Sequence, residues 1–213
     1  MLQIRWHGHS CFEITNDVTI ITDPHDGKSI GIPAPTVQGD IILVSHDHYD
    51  HNKVKSVEKD TSKVVTDKRK KTISNIQITG FESYHDECCG DKRGSNIIYK
   101  FIADDVSFCH LGDLGHALDE KTIKLLGNVD ILFIPIGGTY TIDAKDAWEI
   151  IHLIKPKITI PMHYKIEGLS LPIAGIEDFL ENTSAHKVLK VGNEIDIEKD
   201  EFPKEPEIWV FTL

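Results

Sequence analysis

One short segment, IILVSHDHYDH at residues 41–51, places three histidines and an aspartate directly after an apolar stretch typical of a buried strand. Side chains at strand ends project into the crevices where ligands bind. Burying the four side chains His46, His48, Asp50 and His51 without partners would be costly. A divalent metal ion accounts for them, since imidazole nitrogen and carboxylate oxygen are its usual protein ligands. An exposed polar loop is the alternative interpretation.

The first half of the chain is mostly strand-like, and helical patterns come later. Asn16 with Asp17, and Asp104 with Asp105, predict hairpin turns. The clearest helix covers 143–154 and begins at an aspartate that can cap it. Shorter helices are predicted at 120–126 and 176–181, and strands at 3–6, 11–14, 18–22, 41–45, 63–66, 76–80, 97–102, 106–110, 131–134, 158–160, 187–191 and 208–211. The pattern favours one α/β domain with large mixed sheets and helices outside.

The 213 residues, 40% of them hydrophobic, can form a sizeable core, and we expect a single domain spanning 1–213. A net charge of −11 argues against a protein that holds nucleic acid or anionic lipid in a general positive field. The basic run KRKK at 68–71 is interpreted as a solvated turn. The sequence contains no apolar run long enough for a membrane span and no secretion signal, so we expect a cytoplasmic protein with reduced cysteines.

The histidine-rich segment resembles the HxHxDH signature of the metallo-β-lactamase superfamily, with every motif position filled. Further blocks that resemble the small hydrolases of this superfamily, including the ascorbate-6-phosphate lactonase-like branch, occur in the right order: WHGHSCFEI, IITDP, SYHDECCGDKRGSN, FCHLGDLG, ILFIPIGGTYTIDAKDA and KITIPMHY. The resemblance covers nearly the whole chain. It implies a four-layer αβ/βα sandwich, in which two mixed β-sheets are flanked by helices.

The resemblance also implies two divalent metal ions, most simply zinc, with manganese or iron as alternatives. Carried over by position, the first ion would be held by His46, His48 and His85, the second by Asp50, His51 and His163, and Asp113 would bridge them. The sequence pattern supports the three later ligands independently of the resemblance, because His85, Asp113 and His163 all come after strand-like segments. Asp23 is expected to accept a hydrogen bond from a ligand imidazole and so to fix its tautomer.

The remaining histidines near these motifs are less determined by the sequence. His9 is expected to orient a loop near the site and not to bind metal. His25 is expected to face either the pocket or solvent, His110 to point into the sheet, and His116 to contact either a ligand residue or substrate. Cys88 and Cys89 are interpreted as semi-buried thiols, although one of them, or Asp86, could replace or supplement His85 as a ligand.

The chemistry implied by the resemblance is hydrolysis by a hydroxide that two metal ions activate, with Asp50 orienting that hydroxide. Candidates for pocket walls or anion contacts are Arg93, Thr139, Tyr140, Tyr164 and Lys165, with Tyr164 favoured as a donor to the developing oxyanion. A small anionic or phosphorylated lactone or ester is the first choice of substrate. Phosphodiester cleavage on a cyclic nucleotide or short nucleic acid is the alternative, and a non-catalytic metal-binding protein is the alternative of another class.

The apolar C-terminal segment EIWVFTL is expected to be buried. Two arrangements would bury it. It either completes a sheet or packs against a second subunit in a homo-oligomer.

Overall fold

The computed structural model describes residues 1–183 and 186–213, and two mixed β-sheets form the framework of this part of the chain. In spatial order, the first sheet contains β13 (Glu194–Ile197), β1 (Leu2–Trp6), β2 (Phe12–Thr15), β3 (Thr19–Thr22), β4 (Gly39–Leu43) and β5 (Glu58–Val65). The second contains β12 (Lys187–Lys190), β14 (Glu207–Val210), β11 (Ile158–Met162), β10 (Ile131–Pro135), β9 (Val106–His110), β8 (Ser95–Ala103), β7 (Ile76–Tyr84) and β6 (Lys71–Ile73).

Both sheets combine parallel and antiparallel pairs. The hairpin strands β1 to β3 are antiparallel, whereas β4 and β5 continue that sheet in parallel. In the second sheet the five strands from β12 to β9 are parallel, and β8, β7 and β6 extend it as an antiparallel meander. Strands β9, β10 and β11 are buried at every position, as parallel strands covered on both faces are.

The main core lies between the two sheets. The rings of Phe12 on β2 and Phe133 on β10 have centroids 4.4 Å apart, which joins the sheets directly. Phe108 extends the aromatic cluster, and Trp6 is buried beside Phe12. Burial of such aromatic side chains supplies much of the hydrophobic stabilisation of a sandwich like this.

The described helices are α1 (Glu120–Leu126), α2 (Ala144–Ile154) and α3 (Glu177–Leu180), with short 3-10 turns at Val54–Ser56 and Lys199–Glu201. The predicted helix at 143–154 is confirmed. Asp143 caps α2 by accepting a hydrogen bond from the backbone N–H of Asp146, and Lys155 ends it in the left-handed conformation. Among the described helices none is long and apolar enough to cross a membrane.

The sequence did not predict two of the strands, β6 and β13, because both are short and only partly buried. The basic run was predicted as a solvated turn; its residues 68–70 are exposed but form an irregular loop, and Lys71 belongs to β6. The predicted helix at 176–181 is shorter, at Glu177–Leu180. The C-terminal segment completes a sheet, since β14 lies between β11 and β12. The two mixed sheets agree with the α/β sandwich that the resemblance implies.

Candidate metal centre

The predicted ligands converge because each follows a strand at the same end of the sandwich. The loop from His46 to His51 comes after β4, and His85 follows β7 directly. Asp113 comes after β9, and His163 follows β11. Four segments far apart in sequence therefore bring their polar side chains to one place.

His46, His48 and His85 form a first group, in which one donor nitrogen from each residue lies within 4.8 Å of the others. Nδ1 of His85 donates to the carbonyl of Tyr140 at 2.9 Å, and Nδ1 of His46 lies 2.9 Å from Oγ of Ser45. Because Nδ1 carries the proton in these arrangements, Nε2 of each ring presents a lone pair to the centre. The grouping matches the predicted first metal site.

His9, Asp50, His51 and His163 form a second group with the same 4.8 Å limit. The predicted second site contained all of these except His9. Nε2 of His9 lies 3.1 Å from Oδ2 of Asp50 and 3.1 Å from Nε2 of His51. His9 is fully buried, and no pattern in the sequence marked it as a candidate ligand, although its motif HGH stands in the opening hairpin.

Asp113 lies between the two groups. Its Oδ2 is 3.1 Å from Nε2 of His85 in the first group, and 3.1 Å and 3.2 Å from Nε2 of His163 and His51 in the second. The backbone N–H of Asp113 donates to Oδ1 of Asn96 at 3.0 Å. Asn96 is a buried positioning residue that the sequence reasoning missed, because a single asparagine in a strand carries no motif.

Buried hydrogen bonds to Asp23 orient donor residues on the side away from the centre of the cluster. Asp23 accepts from Nδ1 of His51 at 3.2 Å, from the backbone N–H of Ser45 at 2.7 Å and from the Ser45 hydroxyl at 2.7 Å. Asp23 therefore supports a ligand in each group, one directly and His46 through Ser45. The structure places it in the role that the sequence suggested.

The charges in the cluster favour a cation at its centre. Burial would raise the pKa of Asp113, but His163 and His51 hold this pKa well below its ordinary value, and Asp50 is shifted in the same direction by His51. Burial lowers the pKa of His46 and of His9 to about 3, so both imidazoles are neutral near pH 7. Despite burial, the pKa of His51 is raised by Asp113 and Asp50. The same field would stabilise a metal cation.

The donor set fits divalent metal ions. Nε2 of His46 and Oδ1 of Asp113 are buried and have no hydrogen-bond partner among the described residues, an arrangement that is costly unless a cation engages them. Imidazole and carboxylate donors together suit zinc, manganese and iron. Each donor group, with Asp113 between the two, offers such ligands.

The centre opens into a pocket of about 340 Å³. Its floor contains ligand residues of both groups, namely His48, Asp50, His85, Asp113 and His163. Its walls and rim are formed by Tyr49, Lys92, Arg93, Tyr140 and Leu171. A ligand in this pocket would therefore touch both metal groups and two basic side chains.

The loop that carries these basic residues is held by Asp86. The Asp86 carboxylate accepts hydrogen bonds of 2.7–2.9 Å from the backbone N–H groups of Cys88, Gly90, Lys92 and Arg93. Burial alone would raise its pKa, but these donors lower the pKa to about 2. Asp86 is therefore committed to the loop backbone and is not one of the grouped metal donors.

Arg93 is fixed at the rim by two contacts. Its Nη2 donates to the carbonyl of Thr139 at 3.1 Å, and its guanidinium carbon lies 5.6 Å from the centroid of the Tyr140 ring. Stacking on an aromatic ring leaves the edges of a guanidinium available to an anion. Arg93 and Tyr140 thus line the pocket, as the sequence suggested.

Several other candidates lie elsewhere. The hydroxyl of Tyr164 donates to the carbonyl of Phe211 at 3.3 Å, and Tyr164 and Lys165 line a separate groove near the C-terminus. The predicted donation from Tyr164 to an oxyanion in the metal-centre pocket is therefore corrected. Its ring stacks on Trp6, which turns it into the core.

The remaining assignments also follow from contacts. Cys88 and Cys89 are exposed, not semi-buried, and lie outside the described donor groups. His25 faces neither pocket nor solvent: it is buried, with Nε2 donating to the carbonyl of His7. His110 is buried in the sheet as expected, with Nε2 donating to Ser10, and His116 accepts from the backbone N–H of Tyr84.

Comparison with known proteins identifies the family of this chain. The β-lactamase superfamily domain matches residues 3–163, which is most of the chain. The chain belongs to the metallo-β-lactamase superfamily. A metal-dependent hydrolase of the UPF0173 family from Thermoplasma volcanium is 30% identical over 186 residues, covering 76% of this chain and 83% of that protein. One from Bacillus cereus is 27% identical over 232 residues, covering 92% and 100%.

A solved structure supports the same membership. A protein from Thermotoga maritima, described as a zinc-dependent hydrolase of the metallo-β-lactamase superfamily, superposes with a TM-score of 0.81 at 34% identity. The match covers 99% of this chain and 98% of that protein. The chain is thus a metal-dependent hydrolase of the metallo-β-lactamase superfamily.

Proposed function

We propose that this hydrolase uses two metal ions to open a small anionic lactone or ester. The observation that carries the proposal is the position of Asp113, whose Oδ2 lies 3.1 Å from a histidine of each donor group on the floor of one pocket. Two divalent ions bound there would lower the pKa of a water molecule and stabilise negative charge on oxygen.

The protein side chains would orient the reactants. Asp50 is kept ionised by the neighbouring His51, and it lines the pocket floor, so its carboxylate can accept a hydrogen bond from the attacking water. Leu171 and Tyr140 form apolar wall surface against which the body of a small substrate would pack. The pocket volume of about 340 Å³ suits a substrate of that size.

The basic rim supports the anionic class of substrate. Lys92 and Arg93 lie beside this pocket in a chain whose net charge is −11, so a positive rim here opposes the overall charge. Arg93 is already oriented by Thr139 and Tyr140, which reduces the entropy lost when it binds a carboxylate or phosphate.

The test compares two substrates on metal-loaded protein: a lactone bearing a carboxylate or phosphate, and its neutral analogue. Loss of a charge-assisted hydrogen bond costs about 1.5–3 kcal/mol. Arg93→Gln should therefore lower kcat/KM for the anionic lactone by about 10–150-fold and leave that for the neutral lactone nearly unchanged. Arg69→Gln is the matched control, because Arg69 is exposed and pairs with Asp67 away from the pocket.

Two outcomes would contradict the proposal. An equal effect of Arg93→Gln on both lactones would show that Arg93 does not select for an anionic substrate. Cleavage of a phosphodiester such as bis-p-nitrophenyl phosphate, with no turnover of any lactone or ester, would favour the alternative reaction.

A further inference from the structure

We infer that His9 is a direct ligand of the second metal ion, so that this ion is held by four side chains: His9, Asp50, His51 and His163. The inference rests on the proposed two-metal function and adds a ligand to it. It also makes the two metal positions chemically unequal.

The first argument is the direction of the His9 ring. Its Nε2 lies 3.1 Å from Nε2 of His51, while Nδ1 of His51 is already engaged by Asp23. Both Nε2 atoms therefore point at the same volume. Donor nitrogens about 2.1 Å from one zinc ion stand roughly 3.0–3.4 Å apart at angles of about 90–109°, a range that includes this spacing.

The second argument is the backbone that presents His9. It lies in the left-handed region with φ 55°, which is unfavourable for a residue other than glycine. Its carbonyl accepts from the indole N–H of Trp6 at 3.1 Å and from the backbone N–H of His163 at 3.3 Å. The turn that carries His9 is thus tied to the segment that carries another ligand. Strain maintained in this way is typical of functional sites.

The consequence is an asymmetry between the two ions. Four protein donors plus Asp113 would surround the second ion, whereas three histidines plus Asp113 would hold the first. The second ion would thus have one protein donor more than the first, which leaves the first with more room in its coordination shell for water or substrate. His48, a donor of the first group, is only half-buried and lines the pocket.

A measurement on the unmodified protein tests the inference directly. The protein is loaded with cadmium-113, and histidine nitrogens coupled to the metal are identified by NMR on nitrogen-15-labelled protein. We expect coupling at Nε2 of His9 to the same cadmium resonance as His51 and His163. Two bound ions with no coupling at His9 would overturn the inference. A single bound ion that still couples to His9 would contradict the two-metal proposal, but it would support His9 as a metal ligand.

A variant separates a ligand from a hydrogen-bond donor. His9→Gln places an amide N–H near Asp50 and can keep that hydrogen bond, but it is a poor metal ligand. Zinc affinity of the second position should fall by more than about 100-fold, the upper end for loss of a residue that only supports a ligand. Retained affinity would overturn the inference. His25→Gln is the control, because His25 is a buried histidine of the same region whose partners are backbone groups. In this variant the zinc affinity of the second position should be unchanged.

Discussion

Nδ1 of His51 lies 3.2 Å from Oδ2 of Asp23, and both side chains are almost completely buried. The carboxylate fixes the imidazole with its proton on Nδ1, so that Nε2 faces the metal centre. Asp23 itself adopts a left-handed backbone conformation with φ 38°, between β3 and the loop that follows. The aspartate thus orients one of the candidate metal donors from outside the donor group.

Replacing Asp23 with asparagine should weaken binding of the second metal ion. The amide keeps the size of the side chain and tolerates the left-handed backbone, but its oxygen is a weaker acceptor for the His51 proton. We expect affinity to fall about 10–100-fold, measured by competition with a chromophoric chelator. Asp196→Asn, on the exposed face of β13, is the control and should bind metal normally. Unchanged affinity in Asp23→Asn would contradict the support role.

Replacing Asp113 with alanine should lower metal content at both positions and abolish hydrolysis. The reason is that one oxygen of Asp113 approaches histidines of both groups. Elemental analysis after dialysis gives the result. Asp130→Asn is the matched control, since Asp130 is also buried but accepts hydrogen bonds from Ser107 away from the site. Full metal loading of the Asp113 variant would show that Asp113 is not a bridge.

Cys88→Ser and Cys89→Ser should leave metal content and activity nearly intact. Both thiols are exposed, and neither belongs to the described donor groups. Metal analysis and kcat/KM of each variant provide the check. A loss of one equivalent of metal in either variant would make that cysteine a ligand.

Removing the Asp86 carboxylate should loosen the loop that carries Lys92 and Arg93. In Asp86→Ala we expect faster hydrogen exchange at the backbone amides that it binds, and lower kcat/KM for the anionic substrate. Asp91→Ala, on the exposed side of the same loop, should exchange like the unaltered protein.

The loop that Asp86 holds, residues 86–93, should also lose stability in acid. Because hydrogen bonds lower the folded pKa of Asp86 to about 2, its stabilisation is present above the ordinary aspartate pKa of about 3.9. This stabilisation is lost as the carboxylate becomes protonated, between about pH 4 and pH 2. Exchange protection that stayed constant over this range in the unaltered protein would contradict the assignment.

Much of the fold could be predicted because its signals are local. The N-cap at Asp143 and the apolar face of α2 both lie within one helix, so the helix was placed from the sequence. By contrast, β6 and β13 are only three and four residues long, too short for a pattern that identifies a strand. They become strands because β7 and β1 offer paired hydrogen bonds along their edges.

The metal centre, too, could be predicted from the sequence only in part. The sequence by itself determined the density of ligands in His46 to His51, since four such side chains after one strand have few uses other than metal binding. Only the tertiary structure decided that His9 points into the second group, that Tyr164 does not reach the pocket, and that Asp86 holds the loop of Arg93. The physical reason is that a motif fixes neighbours along the chain. Contacts between β-strand ends far apart in sequence depend on sheet order and backbone conformation, which the packed core sets.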